Sequence, residues 1–225
     1  MTIHRDDIAA LAAELGPRRL GTARERRAAH VVAKHLERAG VPTIALPVSV
    51  HRSSVLPYVA LFGVAIVAVA LARFRPWAGF ILGAAAAILL LLELLDIPVV
   101  SRLLTVSQST NILGLIPPRQ TQDDEPARRV ILTAHLDSPV IGRLRRPPLA
   151  GRLEVVGWVL SAATIGLPVA LFVQALTASS IAWYVALAAA VILVVGAGLL
   201  FEHDLRGTPA AGVNDNASGI GVLLA

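Results

Sequence analysis

The sequence predicts an α/β domain interrupted by two transmembrane helical hairpins, and three observations lead there. Of its 225 residues, 56% are hydrophobic and only 16% charged, too apolar a balance for an ordinary soluble domain of this length. That excess falls in two blocks, Val55 to Val100 and Val155 to Phe201, each long enough for two crossings of ~20 residues or somewhat fewer. The segments outside the blocks carry the helical and strand periodicities of a water-exposed domain. The expected organisation is 1–54 as soluble helices and a strand, 55–100 as the first hairpin, 101–154 as further strands, 155–201 as the second hairpin, and 202–225 as a polar loop opening a helix.

Taken in order, Asp6 to Leu15 and Thr22 to Ala39 repeat apolar residues at helical spacing, and Thr22 with Glu25 three residues on fits a capping box. Gly40 ends the second helix, and Val41 to Val50 reads as an extended strand. Val55 to Ala72 and Trp77 to Leu92 are two apolar runs joined by Arg73-Phe-Arg-Pro76. Glu93 and Asp96, three apart and just before Ile97-Pro98, mark the membrane boundary. Thr110 to Pro117 and Arg129 to His135 read as short buried strands flanking a charged loop, Arg119 to Arg128. The second block has no Asp, Glu, Lys, Arg or His, and is broken at Thr177-Ala-Ser-Ser180, which suits two further spans and makes four.

Charge and cysteine content exclude several classes. No cysteine is present, so a disulfide framework and a thiolate metal site are both excluded. The net charge of +5 is carried by arginine with Lys34 the only lysine, and the arginines gather beside the apolar blocks without an aromatic platform. They read as topology signals and membrane-surface contacts, not as a nucleic-acid site. The opening MTIHRDDIAALAAELGPRRL puts acids and arginines where a secretion signal needs an apolar run, so no cleavable signal is expected.

Two local features could carry chemistry. In Ala134-His-Leu-Asp-Ser138, His135 and Asp137 are two apart at a strand end, hence on one face, so the carboxylate can hold one ring nitrogen while the other faces a metal. The same pattern also serves as an ordinary polar strand end. In Gly212-Val-Asn-Asp-Asn-Ala-Ser-Gly219, Asp215 stands at a helix start among small residues, open to a metal or simply capping the helix. Glu202-His-Asp204 reads as an interfacial polar cluster, and His4, His30, His35 and His51 are isolated.

Together these motifs resemble metallopeptidase family 28, the co-catalytic zinc aminopeptidases. Arg19-Leu-Gly-Thr22 with Arg24 to Gly40 is similar to the family's opening turn and helix, and Ser109-Thr-Asn-Ile112 to one of its strands. Val130 to Ser138 is similar to its metal-ligand strand, and Gly212 to Gly219 to its bridging-aspartate loop. The resemblance implies a mixed-sheet zinc-peptidase domain, present here as its N-terminal part, and two zinc ions as cofactors. His135 would ligate one zinc, Asp215 would bridge both, and Asp137 would be the catalytic carboxylate orienting His135. The remaining ligands, a Glu-Glu pair, a further Asp and a last His, would lie beyond Ala225, so this chain by itself is expected to be inactive. The implied reaction is hydrolysis of a peptide substrate, at a free N-terminus, by zinc-activated water.

Two other readings stand beside the peptidase. One is a non-catalytic membrane protein that uses a peptidase-like domain for binding or assembly. The other is a small transporter, which the lack of ionisable groups in the second hairpin disfavours. The expected partners are the lipid bilayer and a peptide, with no nucleic acid and an open oligomeric state. The expected location is a bacterial inner or cell membrane, with the metal-site segments on the cytoplasmic face because arginines concentrate there.

Overall fold

The structure is a computed structural model and describes residues 12–51, 53, 55–104, 106–117, 130–148, 150–210 and 213–224. The expected charged loop Arg119 to Arg128, most of the first helix, Arg52 and Gly212 lie outside these residues. The chain divides into two compact units. One comprises Met1–Arg52, Val106–Val140 and Pro209–Ala225, the other Ser53–Thr105 and Ile141–Thr208.

The first unit is built on α1 (Ala23–Arg38), whose N-cap Thr22 accepts a hydrogen bond from Glu25 N. Glu25 does not close the box on the Thr22 amide. Its buried carboxylate takes the Gly21 N–H at 2.7 Å and the Ser109 hydroxyl, which ties the helix start to a distant strand. Gly21 is needed here, because its φ is +72° and a Cβ would lie 2.6 Å from Ser107 Oγ. Ala28, Val32 and Leu36 recur every four residues and turn one face of α1 inward. With Leu15 and Ile220 they form a small core, against which Val31, Val41, Ile112, Ala134, Leu136 and Leu224 pack.

Strand β1 (Thr43–His51) pairs antiparallel with β2 (Val106–Gly114), from Thr43 opposite Gly114 to His51 opposite Val106. The second sheet is two residues a side, β3 (Val140–Ile141) against β4 (Thr208–Pro209). The expected strand over Arg129 to His135 is not realised in the residues described. Among the described residues, 130–139 have no strand partner: β1 pairs with β2 and β3 with β4. Helix α7 (Ser218–Leu224) follows the 213–217 turn and buries Ile220 and Gly221.

The second unit contains four apolar helices, α2 (Leu56–Ala72), α3 (Pro76–Leu94), α5 (Leu153–Thr177) and α6 (Ser180–Arg206), with α4 (Val100–Leu103) between α3 and β2. Three of the described helices are long and apolar enough to cross a membrane: α3, α5 with its preceding turn, and α6. The fourth expected span, α2, has 17 residues. At 1.5 Å per residue it is about 25 Å long, at the short limit for a hydrocarbon layer of about 30 Å. The helices meet in a ring, α2 on α3, α3 on α5, α5 on α6 and α6 on α2.

Small residues set their approach. Gly79 lies against Ala72 and the Ala68 carbonyl, Gly83 against Leu171, and Gly196 against Leu160. This is how helices associate where lipid removes any hydrophobic drive between them. Outward, Val67, Ile81, Ile88, Val169, Val185, Val191 and Val194 are exposed. In water such a surface would be an aggregation patch, and against acyl chains it is the solvent match. The chain is a multi-pass membrane protein.

Glu93, expected to mark the membrane boundary, has a definite task at the end of α3. It accepts from Val100 N at 2.6 Å, Ser101 N at 3.0 Å and Ser101 Oγ at 2.5 Å, capping α4 from a distance. Asp96 follows the helix in the left-handed region (φ 58°), with Ile97 N bonded back to Leu92 O.

Candidate functional site

The two sequence features meet within the first unit. The 134–138 segment enters the small core through Ala134 and Leu136, so the side chains of His135 and Asp137 point the other way. His135 Nδ1 lies 3.1 Å from Asp137 Oδ1, and His135 Nε2 lies 3.0 Å from Asp215 Oδ1. Asp215 is brought there by the 213–217 turn, and the peptide joining it to Asn216 is cis. Asn216 Nδ2 donates to the His135 carbonyl at 3.3 Å. Both the ring and the backbone of His135 are therefore fastened to the turn that opens α7.

This arrangement corrects the zinc expectation. A zinc site needs three or four donors converging on one point. Among the described residues, His135 Nε2 faces no carboxylate but Asp215, while Asp137 occupies the opposite edge of the ring. Among the described residues, no group of three or more His, Cys, Asp or Glu side chains could hold a metal ion. The described donor set thus does not fit two zinc ions, and with it fall the zinc cofactor, the zinc-activated water and the hydrolase assignment. His135 and Asp137 are also open to solvent, at 52% and 36% side-chain exposure, and Asp215 at 57%, so their ion pairs are screened contacts worth at most about 1 kcal/mol.

Two residues that sequence reasoning passed over position the cluster. Arg18 is fully buried, and its Nε donates to Leu136 O at 2.6 Å while Nη1 donates to Gly16 O at 2.7 Å. Its backbone exchanges two more bonds with Ser138: Arg18 N to Ser138 Oγ at 2.8 Å, and Ser138 N to Arg18 O at 2.7 Å. Burial pushes the Arg18 guanidinium below its ordinary pKa, and the nearby Asp137 carboxylate acts in the opposite direction. Asn216 is the other. A polar residue beside the expected Asp215 was visible in the sequence, but its reach to His135 was not. For Arg18, one arginine of the pair Arg18-Arg19, the linear sequence offers no signal that distinguishes the buried member.

Glu202-His-Asp204 lies at the end of α6, where Glu202 Oε2 accepts from Arg143 N at 3.2 Å. Its link is to the 142–146 loop.

The chain matches no protein-family model, no curated protein and no solved structure. The resemblance to metallopeptidase family 28 is therefore not upheld, either by the comparisons or by the donor set.

Proposed function

We propose that this chain is a non-catalytic membrane protein whose first unit serves as a binding and assembly module held at the bilayer. The observation that carries the reading is the 130–132 stretch. Val130, Ile131 and Leu132 are 79%, 84% and 73% exposed, and none of the main-chain groups of 130–134 is hydrogen-bonded within the described residues. An exposed apolar segment with open main-chain donors and acceptors is a template for strand addition by another polypeptide. Behind it, Arg18 and the small core hold residues 134–138 in place, so the template is presented from a fixed base. The His135 cluster contributes as a fastener between this segment and the α7 turn.

The absence of cysteine allows a direct test. Ile131→Cys is alkylated in open membrane fragments and again after purification in detergent. The expected outcome is alkylation about tenfold slower in the membranes, the equivalent of ~1.4 kcal/mol of strand pairing. Equal rates in both preparations would refute a bound polypeptide at this segment.

The same reading places the first unit on the cytoplasmic face. What supports it is charge: in the sequence Arg52, Arg102, Arg143, Arg145, Arg146, Arg152 and Arg206 flank the helices on one side of the chain's path, against Arg73 and Arg75 in the α2–α3 link. The assignment requires α2 to cross as well. Ser138 is buried, so labelling belongs on exposed Ala39 and Ser180. In intact cells an impermeant thiol reagent should modify Ser180→Cys and spare Ala39→Cys until the cells are opened. The reverse pattern would invert the topology.

A further inference from the structure

We propose that the loop before α5, together with the last turn of α6, forms a docking surface for anionic phospholipid headgroups. The placement follows from length. α5 has 25 residues and α6 has 27, which at 1.5 Å per residue is about 38 and 40 Å, more than a hydrocarbon layer of about 30 Å holds. Only Ala178 and Ser179 separate the two helices, so the start of α5 and the end of α6 emerge on the same side, in the headgroup layer.

The two ends are joined there. Gly142 is buried against α6, where a Cβ would come within 2.8 Å of His203 Cα, and Arg143 is held by Glu202 through its amide and its guanidinium, with Nε 3.9 Å from Oε1. The loop is thus fixed to α6, and Arg143 already has its counter-charge.

Four further arginines of this layer are exposed: Arg145, Arg146, Arg152 and Arg206. No ion pair or side-chain hydrogen bond engages any of them within the described residues. On these two segments the acids are Glu154, Glu202 and Asp204, so five arginines face three carboxylates and the local surplus is positive. Guanidinium forks match phosphate oxygens, and basic residues beside a membrane draw anionic lipid.

Lipid is favoured over a soluble polyanion by what adjoins the arginines. Leu153, Val155 and Trp158 are 40%, 61% and 69% exposed and continue from the loop onto the lipid-facing side of α5. A ligand that fits both parts has an anionic head and acyl chains. Trp158, six residues and so about 9 Å inside Arg152, sits at the depth where indole rings anchor at an interface.

Trp158 is also the probe. The chain has three tryptophans, so Trp77→Phe with Trp183→Phe leaves Trp158 as the single emitter. This protein is reconstituted in vesicles of equal parts phosphatidylcholine and phosphatidylglycerol, with bromine quenchers on the acyl chains of one lipid or the other. Each basic residue near an anionic surface contributes about fivefold, so phosphatidylglycerol should be preferred at Trp158 by about five- to tenfold. The preference should fall as salt is raised past about 0.15 M, where the screening length is about 8 Å. It should vanish when Arg145, Arg146 and Arg152 are all changed to Gln, and survive Arg73→Gln with Arg75→Gln. Thermal unfolding of each variant by its tryptophan emission checks that the bundle remains folded. Equal quenching by both lipids, or a preference that persists in the triple Gln variant, would overturn the proposal. Either result would leave the arginines to a soluble polyanion or to no ligand.

Discussion

Replacing Arg18 with Met tests the claim that one buried guanidinium holds the 134–138 segment in place. Met keeps most of the apolar stem and removes the side-chain bonds of 2.6 Å to Leu136 O and 2.7 Å to Gly16 O. Hydrogen bonds from a charged donor contribute about 1.5–3 kcal/mol each, but both acceptors are only partly buried and water can replace some of the loss. Met also relieves the cost of burying a cation, the same cost that lowers the Arg18 pKa. The net effect should be about 1–3 kcal/mol of local stability, because the backbone bonds between Arg18 and Ser138 survive the substitution. Amide exchange of the full protein in detergent, read by mass spectrometry, should then quicken about 5- to 150-fold across 134–138, with α3 and α6 unaffected. Arg18→Lys should fall between, because one ammonium cannot span both carbonyls in the geometry of the guanidinium fork. Unchanged exchange in Arg18→Met would refute the clamp and return the segment's order to the apolar contacts of Ala134 and Leu136.

In the bundle, Gly79→Ala should destabilise by about 1–3 kcal/mol, since its methyl would lie 2.6 Å from both Ala72 Cα and the Ala68 carbonyl, and backbone atoms cannot give way. Thermal unfolding followed by the emission of neighbouring Trp77 reads this, and an unchanged midpoint would show that α2 and α3 do not meet at Gly79. Zinc titrated into the purified chain should find no stoichiometric tight site, because among the described residues no third donor joins His135 and Asp215. His135→Ala should leave any weak zinc uptake as it was and shift stability by no more than about 1 kcal/mol. Micromolar one-to-one binding lost in that variant would show a donor set that the structure does not assemble.

What the sequence determined by itself is whatever depends on near neighbours along the chain. The apolar runs place the chain in a membrane because a helix satisfies its own backbone and needs nothing else from the fold. The Thr22 cap on α1 is local in the same sense, reaching three residues ahead to Glu25 N. Interactions between distant segments were decided only by the tertiary structure. Glu25 turns from its own helix to Ser109 on β2 because the fold brings that hydroxyl to a buried carboxylate. Val130 to Leu132 has the composition of a buried strand, yet a strand needs a partner edge brought alongside it, and no described strand lies there although β1 and β2 each keep an outer edge. His135, Asp137 and Asp215 do come together across the chain. The arrangement of donors around the imidazole, one carboxylate on each ring nitrogen and no third converging ligand among the described residues, is three-dimensional information that no spacing of letters contains.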